Sequence, residues 1–346
     1  MKGNEAVAEA AIRAGADGYF GYPITPQSEI LEYLMEADPY KTTGMVVLQA
    51  ESEVAAINMV YGGAACGKKV MTTSSSPGIS LKQEGITYIA GAELPCLIVN
   101  VVRGGPGLGT IQPAQSDYFQ ATKGGGHGDY HLIVLAPASV QEMADFVELG
   151  FDLAFKYRNP VMMLSDGAIG QMMEKVWLGP QKERSKTVPE WATTGKPPTR
   201  ERVIITSLDL DPSRQERFNE KLVAKYNEIR AREVRYEEIQ CEDADYILVA
   251  YGTSARVCMK SVQLAREQGI KAGLIRPITL FPFPVKPIAE LAEKARMMVS
   301  VEMSAGQMVE DVMLAVNGKV PVYHFGRMGG IVTTPEEVVD FLKSKI

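Results

Sequence analysis

Short apolar segments alternate with stretches of helical periodicity along most of this chain of 346 residues. In the N-terminal half, the pattern predicts helices at residues 4–14, 26–37, 52–61, 79–91 and 140–157, and strands at 18–22, 45–48, 69–73, 94–102, 131–135 and 161–165. We expect the third helix to stop at Gly62 and Gly63, and the last to be capped by Ser139. Apolar strands that alternate with amphipathic helices are typical of a mostly parallel sheet covered on both faces.

The composition changes near residue 179, where Pro, Lys, Thr and Arg become frequent up to residue 202. Residues 211–240 are highly charged and are predicted to be helical. The alternation then resumes, with strands at 246–250, 271–275, 297–301 and 320–325 and helices at 254–268, 285–295, 305–317 and from Pro335. We therefore predict an α/β domain over residues 1–178, a linker and charged helical arm over 179–243, and a second α/β domain over 244–346.

The charge balance excludes two classes of partner. The net charge is −6, without the clustered Lys and Arg that bind nucleic acid or an anionic membrane. No apolar stretch approaches the roughly 18–20 residues that cross a bilayer, and the N-terminal residues lack the apolar core of a signal peptide. We expect a cytoplasmic protein.

The cysteines and histidines argue against a metal site built by this chain. Cys66, Cys96, Cys241 and Cys258 lie far apart without a Cys-x-x-Cys pair, and only three His occur. Zinc and iron–sulfur sites draw on closely spaced ligands. We predict reduced thiols and no metal held by this chain alone.

Thr25 and Pro26 follow the first predicted strand. A hydroxyl residue before Pro is typical of a helix N-cap, which is one interpretation of Thr25. The other is a ligand contact, because open α/β sheets bind ligands where strands end and helices begin.

Two acids, Glu51 and Glu53, open the helix that follows the second strand. The helix dipole alone favours acids there. The small residues in and after this helix, however, imply close approach to another backbone, where a held carboxylate could relay a proton.

Arg103 ends a hydrophobic strand and precedes a glycine-rich loop. Its guanidinium suits a bidentate contact with a carboxylate, and an ion pair with a nearby acid is the alternative. The glycines form neither a dinucleotide fingerprint nor a P-loop. His127, among later glycines, is a further candidate for a substrate contact.

Five motifs in this order carry a resemblance: residues 22–26 (YPITP), 51–56 (ESEVAA), 74–78 (SSSPG), 103–106 (RGGP) and 124–128 (GGGHG). Together with residues 275–277 and 301–302 they resemble the α subunits of 2-oxoacid:ferredoxin oxidoreductases over nearly the whole chain. The resemblance implies a thiamine-diphosphate-binding domain of the pyrimidine type with a mostly parallel sheet, followed by a transketolase C-terminal-like α/β domain.

The resemblance also implies roles for three residues. Glu53, rather than Glu51, would bind the aminopyrimidine ring as the catalytic acid, because it immediately precedes Val54-Ala55-Ala56. Thr25 would contact cofactor and substrate, and Arg103 would bind the carboxylate of the oxoacid. The implied reaction is the oxidative decarboxylation of a 2-oxoacid that depends on coenzyme A.

The resemblance implies that partner chains complete the enzyme. The Gly-Asp-Gly…Asn segment that holds the diphosphate through Mg²⁺ has only one near match, Ser165-Asp166-Gly167, without the later Asn. A β subunit would carry that site, and ferredoxin-like and γ subunits would carry the iron–sulfur clusters that pass electrons to ferredoxin. The chain would be active only with these partners.

The substrate favoured by the resemblance is 3-methyl-2-oxobutanoate, with 2-oxoglutarate next. Two further alternatives stay open. One is the β-type E1 subunit of an NAD-linked 2-oxoacid dehydrogenase, which has these two domains but lacks the YPITP start and so long a charged arm. The other is a non-catalytic assembly subunit, in which Thr25, Glu53 and Arg103 have structural roles only.

Overall fold

The structure, a computed structural model, describes residues 1–196 and 198–346 and contains two sheets. The first has the strand order β10-β5-β6-β4-β3-β1-β2, parallel except for β10. Its strands are β1 (Gly18–Gly21), β2 (Val46–Gln49), β3 (Val70–Ser74), β4 (Cys96–Val102), β5 (Ile133–Leu135), β6 (Pro160–Asp166) and β10 (Thr279–Phe281). β3 to β6 are buried throughout, as expected of a sheet covered on both faces.

The helices of this part are α1 (Gly3–Arg13), α2 (Ser28–Ala37), α3 (Pro39–Thr42), α4 (Glu53–Ala65), α5 (Pro77–Gly91), α6 (Tyr118–Thr122), α7 (Val140–Tyr157) and α8 (Gly167–Gln171). The predicted cap of α7 is present, since Ser139 Oγ accepts a hydrogen bond from Glu142 N. The predicted stop of α4 was wrong: the helix continues through Gly62 and Gly63. Burial of Ala64 and Ala65 offsets the helix cost of the two glycines.

The arm begins with residues 179–211, whose described part forms neither helix nor strand. α9 (Pro212–Arg232) follows and is bound to the first domain through Lys221 and Lys225, which both pair with Glu93. The helix predicted to reach residue 240 ends at Arg232, because β7 (Tyr236–Ile239) pairs with the second sheet instead.

The second sheet has the order β12-β11-β8-β9-β7, parallel except for β7. Its other strands are β8 (Tyr246–Val249), β9 (Ala272–Pro277), β11 (Met297–Glu302) and β12 (Val322–Gly326), with helices α10 (Gly252–Glu267), α11 (Val285–Ala292), α12 (Met308–Val316) and α13 (Pro335–Lys343). β10 was not predicted. Although β10 lies within the predicted second domain, it pairs with β5 and extends the first sheet. The two sheets therefore do not coincide with the predicted domain boundaries.

Gln115 lies at the centre of a buried polar contact between the two sheets. Its side-chain oxygen accepts hydrogen bonds from Ser254 Oγ (2.6 Å) and Met303 N (3.0 Å), and its amide donates to Tyr251 O (2.8 Å). This satisfied network fixes the two domains against each other.

Among the described residues, no helix combines the length and apolar character needed to span a membrane.

Candidate active site

Four adjacent parallel strands, β4, β3, β1 and β2, end at one edge of the first sheet. The segments that follow them are residues 103–113, 74–78, 22–27 and 50–53, which carry the predicted site residues. The carboxyl edge of a parallel sheet is where ligands bind in folds of this kind. The topology therefore brings Arg103, Thr25 and Glu53 to one edge.

Arg103 is 8% exposed and holds an uncompensated charge. Its Nη1 donates to Thr25 O and its Nη2 to Leu108 O, both at 3.0 Å, while Nε is buried and has no hydrogen-bond partner among the described residues. Within residues 1–196 and 198–346 no carboxylate pairs with it, so the ion-pair alternative was wrong. A buried cation bonded only to carbonyls is costly, and an anionic ligand would compensate it.

Thr25 does not cap a helix. α2 starts at Ser28 after Gln27, and the Thr25 side chain is exposed at the sheet edge. Asn4 Nδ2 donates to Pro26 O at 2.7 Å, so that carbonyl serves a contact with α1 rather than a first helical turn. The N-cap interpretation was therefore wrong, and the hydroxyl of Thr25 is left at the surface beside Arg103.

Glu53 and Glu51 differ in environment. Glu53 is 6% exposed, whereas Glu51 is exposed. A Cβ at Gly78 would lie 2.8 Å from Glu53 Oε1 and 2.1 Å from Ser74 Oγ, so only glycine fits there. The Glu53 carboxylate thus lies against the start of α5, and no described side chain donates a hydrogen bond to it.

The turn between β3 and α5 carries the motif at residues 74–78, and the structure adds its contacts, which the sequence did not specify. The hydroxyls of Ser74 and Ser75 are buried, and no group in the described part of the chain forms a hydrogen bond with them. Ser76, with φ +26°, accepts from Arg103 N (3.1 Å) and donates to Asp117 Oδ2 (2.8 Å). Burial raises the pKa of Asp117, and hydrogen bonds from Asn100 and Ser76 oppose that rise. This turn joins the Arg103 side of the site to the Glu53 side.

Asp166 belongs to the segment that nearly matches a metal-binding motif. Both oxygens of its carboxylate accept hydrogen bonds from the protein. It accepts from Ala168 N at the start of α8 and from Thr253 Oγ1 of the second domain, at 2.9 and 2.8 Å. Burial raises its pKa, against these hydrogen bonds. The residues present fit an aminopyrimidine ring and a carboxylate, which need an acid, buried hydroxyls and a cation. They do not fit a diphosphate with its metal ion.

Other sequence candidates lie elsewhere. His127 is exposed and packs edge-on against Tyr88 at the far end of α5. Arg276 forms a bidentate pair with Glu142, and Glu302 is buried with five hydrogen-bond donors around it, so both stabilise the fold. In the described residues, no group of three His, Cys, Asp or Glu is arranged to hold a metal.

A cavity of about 790 Å³ lies away from this edge. It is lined by Lys123, His131, Arg230, Phe281 and Lys286, among others, next to the start of β5. Thr25, Glu53 and Arg103 do not line this cavity.

Comparisons with known proteins identify the family of this chain. Residues 9–240 match the family model described as pyruvate flavodoxin/ferredoxin oxidoreductase, thiamine diphosphate-binding, and residues 244–338 match pyruvate:ferredoxin oxidoreductase core domain II. The ketoisovalerate oxidoreductase subunit VorB of Methanothermobacter marburgensis is 54% identical over 95% of this chain and 93% of its own length. The 2-oxoglutarate synthase subunit KorA of Archaeoglobus fulgidus is 37% identical over 100% and 99%.

Two solved structures share the fold. The 2-oxoglutarate:ferredoxin oxidoreductase of Magnetococcus marinus, with 2-oxoglutarate, coenzyme A and succinyl-CoA bound, is 28% identical with a TM-score of 0.84, covering all of this chain and 64% of that chain. A split-gene transketolase, as an inactive β4 tetramer, has a TM-score of 0.64 at 13% identity, covering 99% and 97%, and shares the fold alone.

The fold and the family models together define an α/β subunit of the thiamine-diphosphate-binding type, which confirms the predicted fold class. The chain belongs to the α-type subunits of the 2-oxoacid:ferredoxin oxidoreductases, enzymes that work with partner subunits.

Proposed function

We propose that this chain supplies the aminopyrimidine side of a thiamine diphosphate site and the carboxylate-binding group for the oxidative decarboxylation of 3-methyl-2-oxobutanoate, with coenzyme A as acyl acceptor. The observation that carries the proposal is Arg103, a buried guanidinium that has no counter-ion in residues 1–196 and 198–346 and lies on the same sheet edge as Glu53.

Each residue has a distinct task in this proposal. Glu53 holds a proton-sharing hydrogen bond to the ring nitrogen of the cofactor. Arg103 binds the substrate carboxylate through N–H groups that the protein does not use, and the Thr25 hydroxyl orients cofactor and substrate. Thiamine diphosphate, when bound, supplies the carbon nucleophile and the electron sink for decarboxylation.

A β subunit would complete the cofactor site by holding the diphosphate and Mg²⁺. The surface next to Glu53 supports such a contact, because Val54 of α4 and Leu81 and Tyr88 of α5 are exposed apolar side chains. Exposed apolar patches of this kind favour protein contacts. Iron–sulfur clusters on ferredoxin-like and γ subunits would carry electrons to ferredoxin.

The choice of substrate rests on charge around Arg103. The neighbouring segments 21–27, 104–113 and 328–334 contain no Lys, Arg or His. Segment 328–334 is included because residues 329–330 lie close to Gly104, the residue after Arg103. A branched aliphatic acyl chain needs no second cation, whereas 2-oxoglutarate carries a second carboxylate. The similarity to subunits named for ketoisovalerate, which is 3-methyl-2-oxobutanoate, also supports this choice.

Reconstitution with partner subunits tests the function. The assembled complex should reduce viologen with coenzyme A and 3-methyl-2-oxobutanoate, more efficiently in kcat/KM than with 2-oxoglutarate or pyruvate. The purified chain alone should show no turnover. Oxidation of an oxoacid by the chain alone would refute the shared site, and a preference for 2-oxoglutarate would refute the substrate assignment.

A further inference from the structure

Lys82 is a fully buried lysine that the proposed chemistry does not use. It lies in α5 with 0% exposure, and its ammonium donates to Thr72 Oγ1 at 2.8 Å. No carboxylate lies within ion-pair distance of it in the described chain. Lysine is almost never fully buried without a paired charge, because removing the ammonium from water costs stability.

The helix geometry places Lys82 between two close contacts of α5 with α4. Gly78, one turn before Lys82, meets Glu53, and Gly85, three residues after it, would bring a Cβ to 2.5 Å from Ile57 Cγ2. Residues 78, 82 and 85 share one face of a helix, and Glu53 and Ile57 share one face of α4. Lys82 therefore lies along the contact face that starts at the Glu53 carboxylate.

The carboxylate of Glu53 is the charged group that favours the charged form of Lys82. Burial lowers the pKa of Lys82 to about 8, and the Glu53 carboxylate opposes that shift. β3 presents the neutral Thr72. β6, which also packs on α5, carries one charged side chain, Asp166 at its end, which accepts hydrogen bonds from Ala168 N and Thr253 Oγ1.

We propose that Lys82 is a positioning residue whose positive charge balances and orients the Glu53 carboxylate in the interface where the cofactor ring binds. This inference rests on the proposed role of Glu53 and adds a second residue, Lys82, whose charge acts on the Glu53 carboxylate. At neutral pH the ammonium is charged and attracts the Glu53 carboxylate across the α4–α5 contact without a direct ion pair. As the pH rises through about 8 the charge is lost, and cofactor affinity and turnover fall with it.

The test uses Lys82→Met and Lys82→Gln in the assembled complex, with Lys69→Met as the matched control. Gln keeps a donor for Thr72 without the charge. Lys69 immediately precedes β3, at the end of the strand away from the site, and its ammonium donates a hydrogen bond to Ala14 O. We expect both Lys82 variants to bind thiamine diphosphate about tenfold more weakly at pH 7, by calorimetry, and to lose the decline in turnover near pH 8. The control should keep the wild-type profile.

Thermal unfolding separates this role from a structural one. A buried cation costs stability, so Lys82→Met should melt at the wild-type temperature or above it. A lower melting temperature with an unchanged pH profile and cofactor affinity would overturn the proposal. If Lys82→Met does not fold, the same outcomes apply to Lys82→Gln.

Glu53→Gln distinguishes failure of this inference from failure of the proposed function. If Glu53→Gln loses turnover while both Lys82 variants keep the wild-type affinity and pH profile, only the role of Lys82 is refuted. If Glu53→Gln keeps the wild-type rate, the role of Glu53 fails, and that of Lys82 with it.

Discussion

Arg103 Nη1 donates a hydrogen bond to the carbonyl oxygen of Thr25, 3.0 Å away, and so joins the loops that follow β4 and β1. The contact fixes the guanidinium by backbone oxygens, which cannot neutralise it. The remaining N–H groups are oriented before any ligand arrives. A preorganised cation of this kind binds a carboxylate without first breaking an ion pair.

Arg103→Lys should raise KM for the oxoacid about 10- to 100-fold with a smaller change in kcat, because an ammonium cannot contact both carbonyls and a carboxylate in the fixed fork geometry. Steady-state kinetics of the assembled complex measure the effect. Unchanged KM would remove Arg103 from the substrate site.

Glu53→Gln should lower turnover about 10²- to 10⁴-fold, the usual contribution of a positioned acid or base, while the fold is retained. Glu51→Gln is the matched control, since Glu51 is exposed two residues earlier, and should stay near the wild-type rate. Circular dichroism checks folding in both. Equal losses in the two variants would contradict the assignment.

Gly78→Ala should destabilise the chain by about 1–3 kcal/mol, because the new methyl group would overlap Ser74 and Glu53. Gly62→Ala, where a Cβ meets no atom within 4 Å, should instead stabilise α4 by about 0.5–1 kcal/mol. Denaturant unfolding of the chain measures both. A neutral Gly78→Ala would mean that the β3–α5 turn is looser than described.

Gln115→Ala should cost about 2–4 kcal/mol, because it leaves Met303 N and Ser254 Oγ buried without their acceptor. Gln120→Ala, which removes only an exposed contact with Ser80, is the control and should change stability by less than about 0.5 kcal/mol. Calorimetric unfolding compares the two. Similar values would refute a central role for Gln115 between the domains.

Acid should weaken the attachment of α9. Burial alone would raise the pKa of Glu93, but hydrogen bonds and charges from Lys221 and Lys225 outweigh it and lower that pKa. The stabilisation is therefore present above the ordinary pKa of 4.5 and is lost as the pH falls through the lower folded value. At neutral pH, limited proteolysis should cut the segment 179–211 faster in the Glu93→Gln variant than in the wild type. The wild type should become equally sensitive when acid protonates Glu93. Equal cleavage rates at neutral pH would exclude this anchor.

The periodic pattern predicted most helices and parallel strands because their faces are buried in long, regular stretches, as in β4 and α7. It missed β10 and extended the arm helix over β7, since short strands at sheet edges are decided by distant partners such as β5 and β9. Motifs indicated Thr25, Glu53 and Arg103. Lys82 was missed because its apolar surroundings come from α4 and β3, which a local pattern does not contain. The roles of Thr25, Glu53 and Arg103 stay predictions.

β10 takes the chain back from the second sheet to the first, between β9 and β11, so neither domain is one continuous stretch of sequence. A gene fragment ending at residue 178 would leave the β5 edge uncovered and ready to pair with another molecule. An exchange of the first domain between relatives must therefore include β10, which lies more than 100 residues after β6 in the sequence.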